Sequence, residues 1–426
     1  MERRIIKNDR IRGEYIEVKH PSGLTILMYP MKGYSNATAL FGTKYGSIDT
    51  TFKTKNDDDY VTVPEGIAHY LEHKLFENED SPVFEQFGKT GAYCNAATSF
   101  EQTFYFFRCS DKFEENLNIL LKFVQSPYFT KENVDKEQGI IAQEIRMYED
   151  VPNWRVFFNL LTACYSSHPV RIDIAGTVES ISHIDAPLLY RCYKTFYNLS
   201  NMVLCVAGNF DVDTVLECCN KLLKPSEDLA LDAKTAQEPY KVNMHETVQQ
   251  LSVAMPLFHI GFKGNPLSGI EEVKSNLEHS IMLELVLGRT SSFYKKLYDE
   301  GLINASFGSE VFSVRGAFLS IVAGESRNPR EVLARIKAEV NRLKSEKIDE
   351  LEFEVLRKGI YGDSIRELSN VDSVAQSLMN AQFNGLSSFD TIDCIAALKV
   401  ADIKRCLDEF DVDNCSISII EPKTSK

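Results

Sequence analysis

The chain has 426 residues, 44% of them hydrophobic, which is enough for two or three domains with large cores. Its net charge is −14, and such an acidic chain is not expected to bind nucleic acid, which requires clustered Lys and Arg. Charged residues interrupt the N-terminal stretch, and no apolar run approaches the roughly 20 residues that cross a bilayer, so neither a secretory signal nor a membrane span is predicted.

Strand-like and helix-like segments alternate through the first half of the chain. Apolar and β-branched runs predict strands at 24–29, 39–45 and 103–107, and helical periodicity predicts helices at 65–77, 112–125 and 131–149. The pattern then fades into polar, proline-containing stretches at 224–228 and 235–239. We therefore predict an N-terminal domain at 1–222, a linker at 223–245 and a C-terminal domain at 246–426.

The two halves close with the same order of helix, turn and strand. Residues 191–196 precede an apolar strand at 202–207, and residues 405–410 precede another at 416–420. This internal similarity predicts two similar α+β domains of about 200 residues each.

The ten cysteines form no Cys-x-x-Cys pair, and most of them lie in apolar stretches. We interpret them as reduced, buried thiols that pack as small hydrophobic side chains in a cytoplasmic protein. This pattern argues against a zinc ribbon or a disulfide scaffold.

Residues 64–76 contain the most informative motif of the chain. Apolar residues recur every four positions and predict an amphipathic helix, at Ile67, Leu71 and Leu75. His69 and His73 then lie one turn apart, where two imidazoles can chelate a zinc ion. Glu72 lies beside them, in position to accept a proton from a water molecule. The pattern HxxEH is the inverted form of the HExxH zinc-peptidase motif.

A catalytic zinc site needs a third protein ligand, and two carboxylates are candidates. Glu137 and Glu144 are seven residues apart and share one face of a predicted helix with Ile140 and Ile141. Carboxylates in an apolar stripe are costly unless they are paired or bound to a metal. An isolated His or Glu pair on a helix is usually structural, but a chance match to HxxEH has odds on the order of one in a hundred.

Residues 66–76, the carboxylates at 137 and 144, and residues 91–99 together resemble the insulinase (pitrilysin) family of zinc metallopeptidases. The resemblance covers nearly the whole chain and is strongest to the branch of mitochondrial processing peptidase and its bacterial relatives. It implies an α+β fold of two homologous domains, each a mainly antiparallel sheet packed against helices. The N-terminal domain would be the zinc-binding catalytic one, and the C-terminal domain would bind no metal.

The resemblance also implies roles for individual residues. It assigns the Zn²⁺ ligands to His69, His73 and Glu144. Glu72 matches the general base, and Glu137 matches a second carboxylate that supports catalysis at the metal site. Asn95 and Ala96 match edge-strand positions that hold the backbone of a peptide substrate, although an ordinary turn entering a strand is the alternative.

The second half departs from the family pattern, which usually has a Leu-Arg followed by a Gly-Leu and a Tyr. Tyr298 stands where the Arg is expected, and Asn304 or a neighbour stands where the Tyr is expected. We therefore expect a homologous subunit to supply the Arg/Tyr pair, in a heterodimer or a homodimer. An echo of the zinc motif at 275–279 has Ser275 in place of the first His, so no second metal site is expected.

The leading interpretation is a zinc-dependent endopeptidase of the bacterial cytoplasm that hydrolyses short, unfolded or leader peptides. The alternatives are a non-catalytic scaffold subunit and a peptide-binding clamp, neither of which needs Glu72.

Overall fold

The computed structural model describes residues 2–77 and 82–423 and divides the chain into two compact units. The first unit consists of Met1–Ile145, Asp173–Lys234 and Ile365–Phe389. The second unit consists of Arg146–Ile172, Thr235–Ser364 and Asp390–Lys426. Each unit therefore includes a segment from the other half of the sequence. The contiguous division at 1–222, 223–245 and 246–426 stays a prediction.

The strands of the described residues are, in chain order, β1 (Arg3–Asn8), β2 (Gly13–Lys19), β3 (Thr25–Pro30), β4 (Ala37–Thr43), β5 (Thr51–Lys53), β6 (Val61–Thr62), β7 (Tyr93–Thr98), β8 (Thr103–Cys109), β9 (Met202–Gly208), β10 (Asp232–Ala233), β11 (Glu246–Leu251), β12 (Leu257–Lys263), β13 (Gly308–Val314), β14 (Ala317–Glu325) and β15 (Cys415–Pro422).

The helices are α1 (Ile67–Leu75), α2 (Val83–Thr90), α3 (Phe113–Val124), α4 (Lys131–Glu149), α5 (Pro152–Cys164), α6 (Val178–Ile181), α7 (Ala186–Phe196), α8 (Val212–Leu222), α9 (Gly269–Leu287), α10 (Ser292–Asp299), α11 (Pro329–Lys344), α12 (Glu350–Glu367), α13 (Val371–Phe383), α14 (Asp390–Ala397) and α15 (Val400–Glu409). The six elements predicted from periodicity match β3, β4, β8, α1, α3 and α4 within a few residues. Within the described residues, no helix has both the length and the apolar character needed to cross a bilayer.

The main sheets of the two units share one topology. In the first unit the strand order is β1-β2-β3-β9-β4-β8-β7, and in the second it is β11-β15-β12-β14-β13. The five strands β3-β9-β4-β8-β7 of the first sheet correspond in order to β11-β15-β12-β14-β13 of the second. In each set, the strand that comes last in the chain, β9 or β15, lies between the two strands that come first. It pairs parallel with the first of them, while the other pairs in both main sheets are antiparallel. The prediction of an α+β fold with two similar, mainly antiparallel domains is confirmed.

Both faces of the first sheet are covered by apolar side chains. One face packs on a large core that includes residues of α1, α3 and α7. The opposite face, with Leu27, Leu40 and Val203, packs against α13 through Val374 and Leu378. Because both faces are covered, β4 and β9 are buried along their whole length. This packing explains why a segment from the second half of the sequence belongs to the first unit.

Glu238, in the predicted linker, is anchored within the second unit. Its carboxylate accepts hydrogen bonds from the backbone N–H groups of Ser166, Ser167 and His168, at 2.9, 2.7 and 2.8 Å. The Lys263 ammonium donates a further bond at 2.9 Å, and both side chains of this ion pair are almost completely buried. Glu238 therefore links the chain segment that leads into the second unit both to the loop after α5 and to the end of β12.

Candidate functional site

Helix α1 begins where two backbone segments approach closely. Gly66 has a φ of 87°, and a Cβ atom there would lie 2.3 Å from the carbonyl oxygen of Ala175. Gly176 has a φ of 75°, and its Cβ would lie 2.5 Å from the oxygen of Glu65. Only glycine fits both positions without strain, because an L side chain disfavours a positive φ and the space is already filled. This contact sets where α1 starts.

The helix is amphipathic, as its sequence predicts. Its apolar stripe is buried in the first unit's core and consists of Ile67, Leu71 and Leu75. The rings of His69 and His73 lie on another face, with their centroids 4.5 Å apart. Packing of the apolar stripe thus fixes the direction in which both imidazoles project.

The structure brings Glu144 of α4 to these two histidines. Its Oε2 atom lies 3.9 Å from Nε2 of His69 and 3.6 Å from Nε2 of His73. Within the described residues, these three side chains form the only group of three or more possible ligands with all donor atoms within 4.8 Å of one another. The three are partly buried, and they come from two helices separated by about 70 residues of sequence.

The donor set and spacing fit a zinc ion. Zn–N and Zn–O bonds of about 2.0–2.2 Å in a tetrahedron place donor atoms roughly 3.3–3.6 Å apart, close to the distances found here. Burial, with a further contribution from the charge of His73, lowers the pKa of His69 to about 3. A neutral imidazole is the form that binds a metal, so His69 does not need to lose a proton at neutral pH.

Glu137 lies behind His73 instead of joining the three ligand candidates. Its Oε1 atom is 3.0 Å from Nδ1 of His73, and its side chain is almost fully buried. Burial tends to raise the pKa of Glu137, but the hydrogen bond and charge of His73 outweigh it and hold the pKa below its usual value. A carboxylate in this position orients a ligating imidazole and fixes its tautomer.

Glu72 is buried on the same helix and forms a hydrogen bond with the end of β7. The hydroxyl of Thr98 donates to its Oε2 atom at 2.9 Å. Burial raises the pKa of Glu72, opposed by the nearby His73 and by hydrogen bonds from Thr98. A raised carboxylate pKa brings a general base closer to neutral pH. The hydrogen bond between Thr98 and Glu72 was not predicted from the sequence, although Thr98 lies within the stretch 91–99.

Asn95 and Ala96 lie on β7, which is an edge strand of the seven-stranded sheet and, among the described residues, pairs only with β8. The Asn95 side chain is exposed: its Oδ1 accepts a hydrogen bond from the Ala96 N–H at 2.9 Å, and its Nδ2 donates to the hydroxyl oxygen of Tyr93 at 3.1 Å. Both residues lie inside the strand and not in a turn, and their role in holding a substrate stays a prediction. An open strand edge is a surface to which an extended peptide can add by backbone hydrogen bonding.

The second unit holds the positions that depart from the family pattern. Tyr298 lies in the last turn of α10 and is half-exposed, and its ring stacks on that of Tyr294. The Asn304 amide donates to a carboxylate oxygen of Glu325 at 2.7 Å. In the motif echo, Nδ1 of His279 lies 2.9 Å from the backbone oxygen of Ser275. The ring therefore bonds to its own helix.

The chain matches two family models. Residues 58–178 match the insulinase model, peptidase family M16, and residues 183–360 match the model described as the peptidase M16 inactive domain.

Individual relatives agree with the family models. A protein of Bacillus subtilis described as the uncharacterized zinc protease YmfH is 36% identical over 425 residues, which cover 98% of this chain and 99% of that protein. A probable mitochondrial-processing peptidase subunit beta of Arabidopsis thaliana is 28% identical over 54% of this chain and 44% of its own length.

Solved structures resemble the whole chain. An M16-like peptidase from Alicyclobacillus acidocaldarius superposes with a TM-score of 0.91 at 32% identity, covering 99% of this chain and 98% of that one. A protease from Helicobacter pylori superposes with a TM-score of 0.83 at 19% identity, over 96% and 99% of the two chains, which supports the fold alone.

Proposed function

The chain belongs to the insulinase family of peptidases, and from that premise we propose that it is a zinc-dependent endopeptidase. The observation that carries the proposal is the convergence of His69, His73 and Glu144, with the buried carboxylate of Glu72 on the same helix. In this proposal the three convergent side chains hold Zn²⁺. Glu137 orients the ring of His73 and so supports catalysis at the site.

Hydrolysis requires a base, and Glu72 is the group suited to this role. A bound zinc ion supplies a Lewis acid that lowers the pKa of water and polarises a peptide carbonyl. Glu72 accepts the proton of the attacking water and returns it to the leaving amine.

The substrate in this proposal is an extended peptide that adds to the open edge of β7. Asn95 and Ala96 would hold its backbone, with the Asn95 amide leaving its own Ala96 N–H to make room. Strand addition requires a segment with unpaired backbone groups, so short peptides, unfolded segments and leader peptides fit better than folded proteins.

We further propose that a homologous subunit completes the active site. The Arg/Tyr pair expected in the second half is replaced here, and Asn304 is already bonded to Glu325. The Arabidopsis relative is itself named as a subunit. A heterodimer in which a sister chain supplies the pair is therefore the preferred assembly, and a homodimer is the alternative. The free cysteines, eight of the ten buried, suit the reducing cytoplasm of a bacterium.

The test combines metal content with cleavage of a quenched fluorescent peptide library by the purified chain, alone and with its homologous partner. We expect about one zinc per chain, and we expect Glu72→Gln to keep the zinc while activity falls by at least about 100-fold. Glu114→Gln makes the same change at an exposed position on α3 and is the matched control.

Three other outcomes are informative. Full cleavage by the chain alone would support the peptidase proposal and contradict the proposal that a homologous subunit completes the active site. Zinc and peptide binding without cleavage under any condition would favour a peptide-binding clamp. Absence of both zinc and cleavage would overturn the proposal in favour of a scaffold subunit, a role compatible with the match of residues 183–360 to a domain described as inactive.

A further inference from the structure

Thr98 connects the edge strand to the buried carboxylate of the HxxEH helix. It is the last residue of β7, two positions beyond Ala96, and its hydroxyl donates to Oε2 of Glu72 at 2.9 Å. Successive side chains of a strand alternate between its faces, so Thr98 shares a face with Cys94 and Ala96. Both of those residues pack against the core that includes α1. The strand's pleat therefore aims the Thr98 hydroxyl at the helix.

The position of Thr98 is fixed by the closed end of the β7–β8 hairpin. Thr98 pairs directly with Thr103, whose hydroxyl is fully buried and donates to the backbone oxygen of Tyr45 at 2.9 Å. In the connecting turn the Ser99 N–H donates to the Gln102 oxygen at 2.8 Å. The backbone that carries Thr98 is thus held at the end of the hairpin, and the buried Thr103 hydroxyl lies 3.4 Å from the Thr98 hydroxyl.

A general base needs an oriented carboxylate as well as a suitable pKa. The Thr98 hydroxyl engages only one of the two carboxylate oxygens of Glu72, Oε2. A donor fixed on one oxygen limits rotation of the carboxylate and sets the direction of the other. The donor here also belongs to β7, the strand proposed to bind the peptide, so one strand contacts both the base on α1 and the substrate.

We propose that Thr98 is a positioning residue that orients Glu72 relative to a peptide bound along β7. This inference rests on the proposed peptidase function. It assigns Thr98 no contact with the substrate's reacting atoms. The expected consequence of losing the hydroxyl is a slower chemical step with unchanged binding of both peptide and metal.

The test uses Thr98→Val, which keeps the shape of the side chain and removes the donor, and Thr98→Ser, which keeps the donor. We expect Thr98→Val to lower kcat by about 10- to 100-fold with KM and zinc content close to wild type, and Thr98→Ser to recover most of kcat. Thr62→Val exchanges the same atoms at an exposed hydroxyl of β6 and should leave kcat unchanged.

Crystal structures of zinc-loaded wild type and Thr98→Val give a second readout that does not depend on turnover. The Glu72 carboxylate should keep one orientation in the wild type and adopt another, or several, in Thr98→Val. A Thr98→Val protein with wild-type kcat, or with an unmoved Glu72, would overturn the positioning role. If the wild type cleaves no peptide, the peptidase proposal fails, while the two structures still decide whether Thr98 holds Glu72.

Discussion

The Nδ1 atom of His73 lies 3.0 Å from Oε1 of Glu137, while Nε2 of the same ring lies 3.6 Å from Oε2 of Glu144. One nitrogen is thus held by a buried carboxylate and the other is directed to the candidate metal position. The ring is oriented before any metal arrives, which lowers the entropic cost of binding one.

Replacing Glu137 with Gln should weaken zinc binding by about 10- to 100-fold without removing a ligand, because the charged partner of His73 is lost. Competition with a chromophoric chelator measures this affinity. Glu132→Gln, at an exposed position on the same helix, should bind zinc as the wild type does. An unchanged affinity for Glu137→Gln would show that the carboxylate is dispensable for the metal.

Removal of the metal with a chelator should abolish peptide cleavage and leave the secondary structure unchanged. The helix that carries both histidines is anchored by its buried apolar stripe, so its formation does not require the ion. Far-UV circular dichroism should be the same with and without zinc. The Tm should rise on adding zinc, since a ligand at 100 times its Kd stabilises the folded state by about 2.7 kcal/mol. Loss of helical signal on chelation would contradict this expectation.

Gly66→Ala should destabilise the first unit by at least about 1–3 kcal/mol, the usual cost of a strained non-glycine backbone, because φ is 87° and the added carbon meets the Ala175 oxygen. Gly88→Ala is the matched control, since nothing lies within 4 Å of a Cβ atom at that exposed position of α2. There the change should stabilise by up to about 1 kcal/mol. Chemical unfolding of both variants measures the difference, and equal stabilities would contradict the close backbone approach.

Glu238→Ala should lower the free energy of unfolding of the second unit by about 3–5 kcal/mol, because it leaves the Lys263 ammonium buried without its counter-charge. Three backbone N–H groups lose their acceptor as well. Asp135→Ala breaks an exposed ion pair with Lys131 and should cost about 0.5 kcal/mol or less. Similar losses in the two variants, measured by denaturant unfolding, would argue that the buried pair contributes little.

The same carboxylate should give the second unit an acid-sensitive stability. Burial tends to raise the pKa of Glu238, but the backbone hydrogen bonds and Lys263 outweigh it and hold the pKa below its usual value of 4.5. A lowered folded pKa contributes stability that is fully present above 4.5 and is lost as the pH falls through the folded value. The Tm of the wild type should exceed that of Glu238→Gln by a constant amount above pH 4.5, and this difference should shrink below pH 4.5. A Tm difference that grows as the pH falls would contradict a lowered pKa for Glu238.

The zinc motif was readable from sequence because its chemistry is local. His69, Glu72 and His73 lie within two turns of one helix, so periodicity alone places them together. The pairing of Glu144 with that helix is non-local. Spacing left the two carboxylates at 137 and 144 open, and the choice between them came from the family resemblance. The structure places Glu144 near both histidine Nε2 atoms and Glu137 at Nδ1 of His73.

Thr98 could not be assigned from sequence, because a threonine at the end of a strand has no motif that distinguishes a positioning role from packing. The Glu238–Lys263 pair is similar, since its members lie 25 residues apart in segments that appear unrelated by pattern. Both contacts depend on which strand face meets which helix or loop, and hydropathy does not encode that choice.

By itself, the sequence determined the elements of the fold and the local part of the site: amphipathic α1, the central strands, the repeated α+β halves and the HxxEH geometry. These follow from short-range periodicity, which depends only on backbone geometry. Tertiary structure alone decided that residues 365–389 pack with the first unit and 146–172 with the second. It also decided which carboxylate faces the imidazoles and which hydroxyl holds Glu72, because those contacts arise only when buried faces pack together.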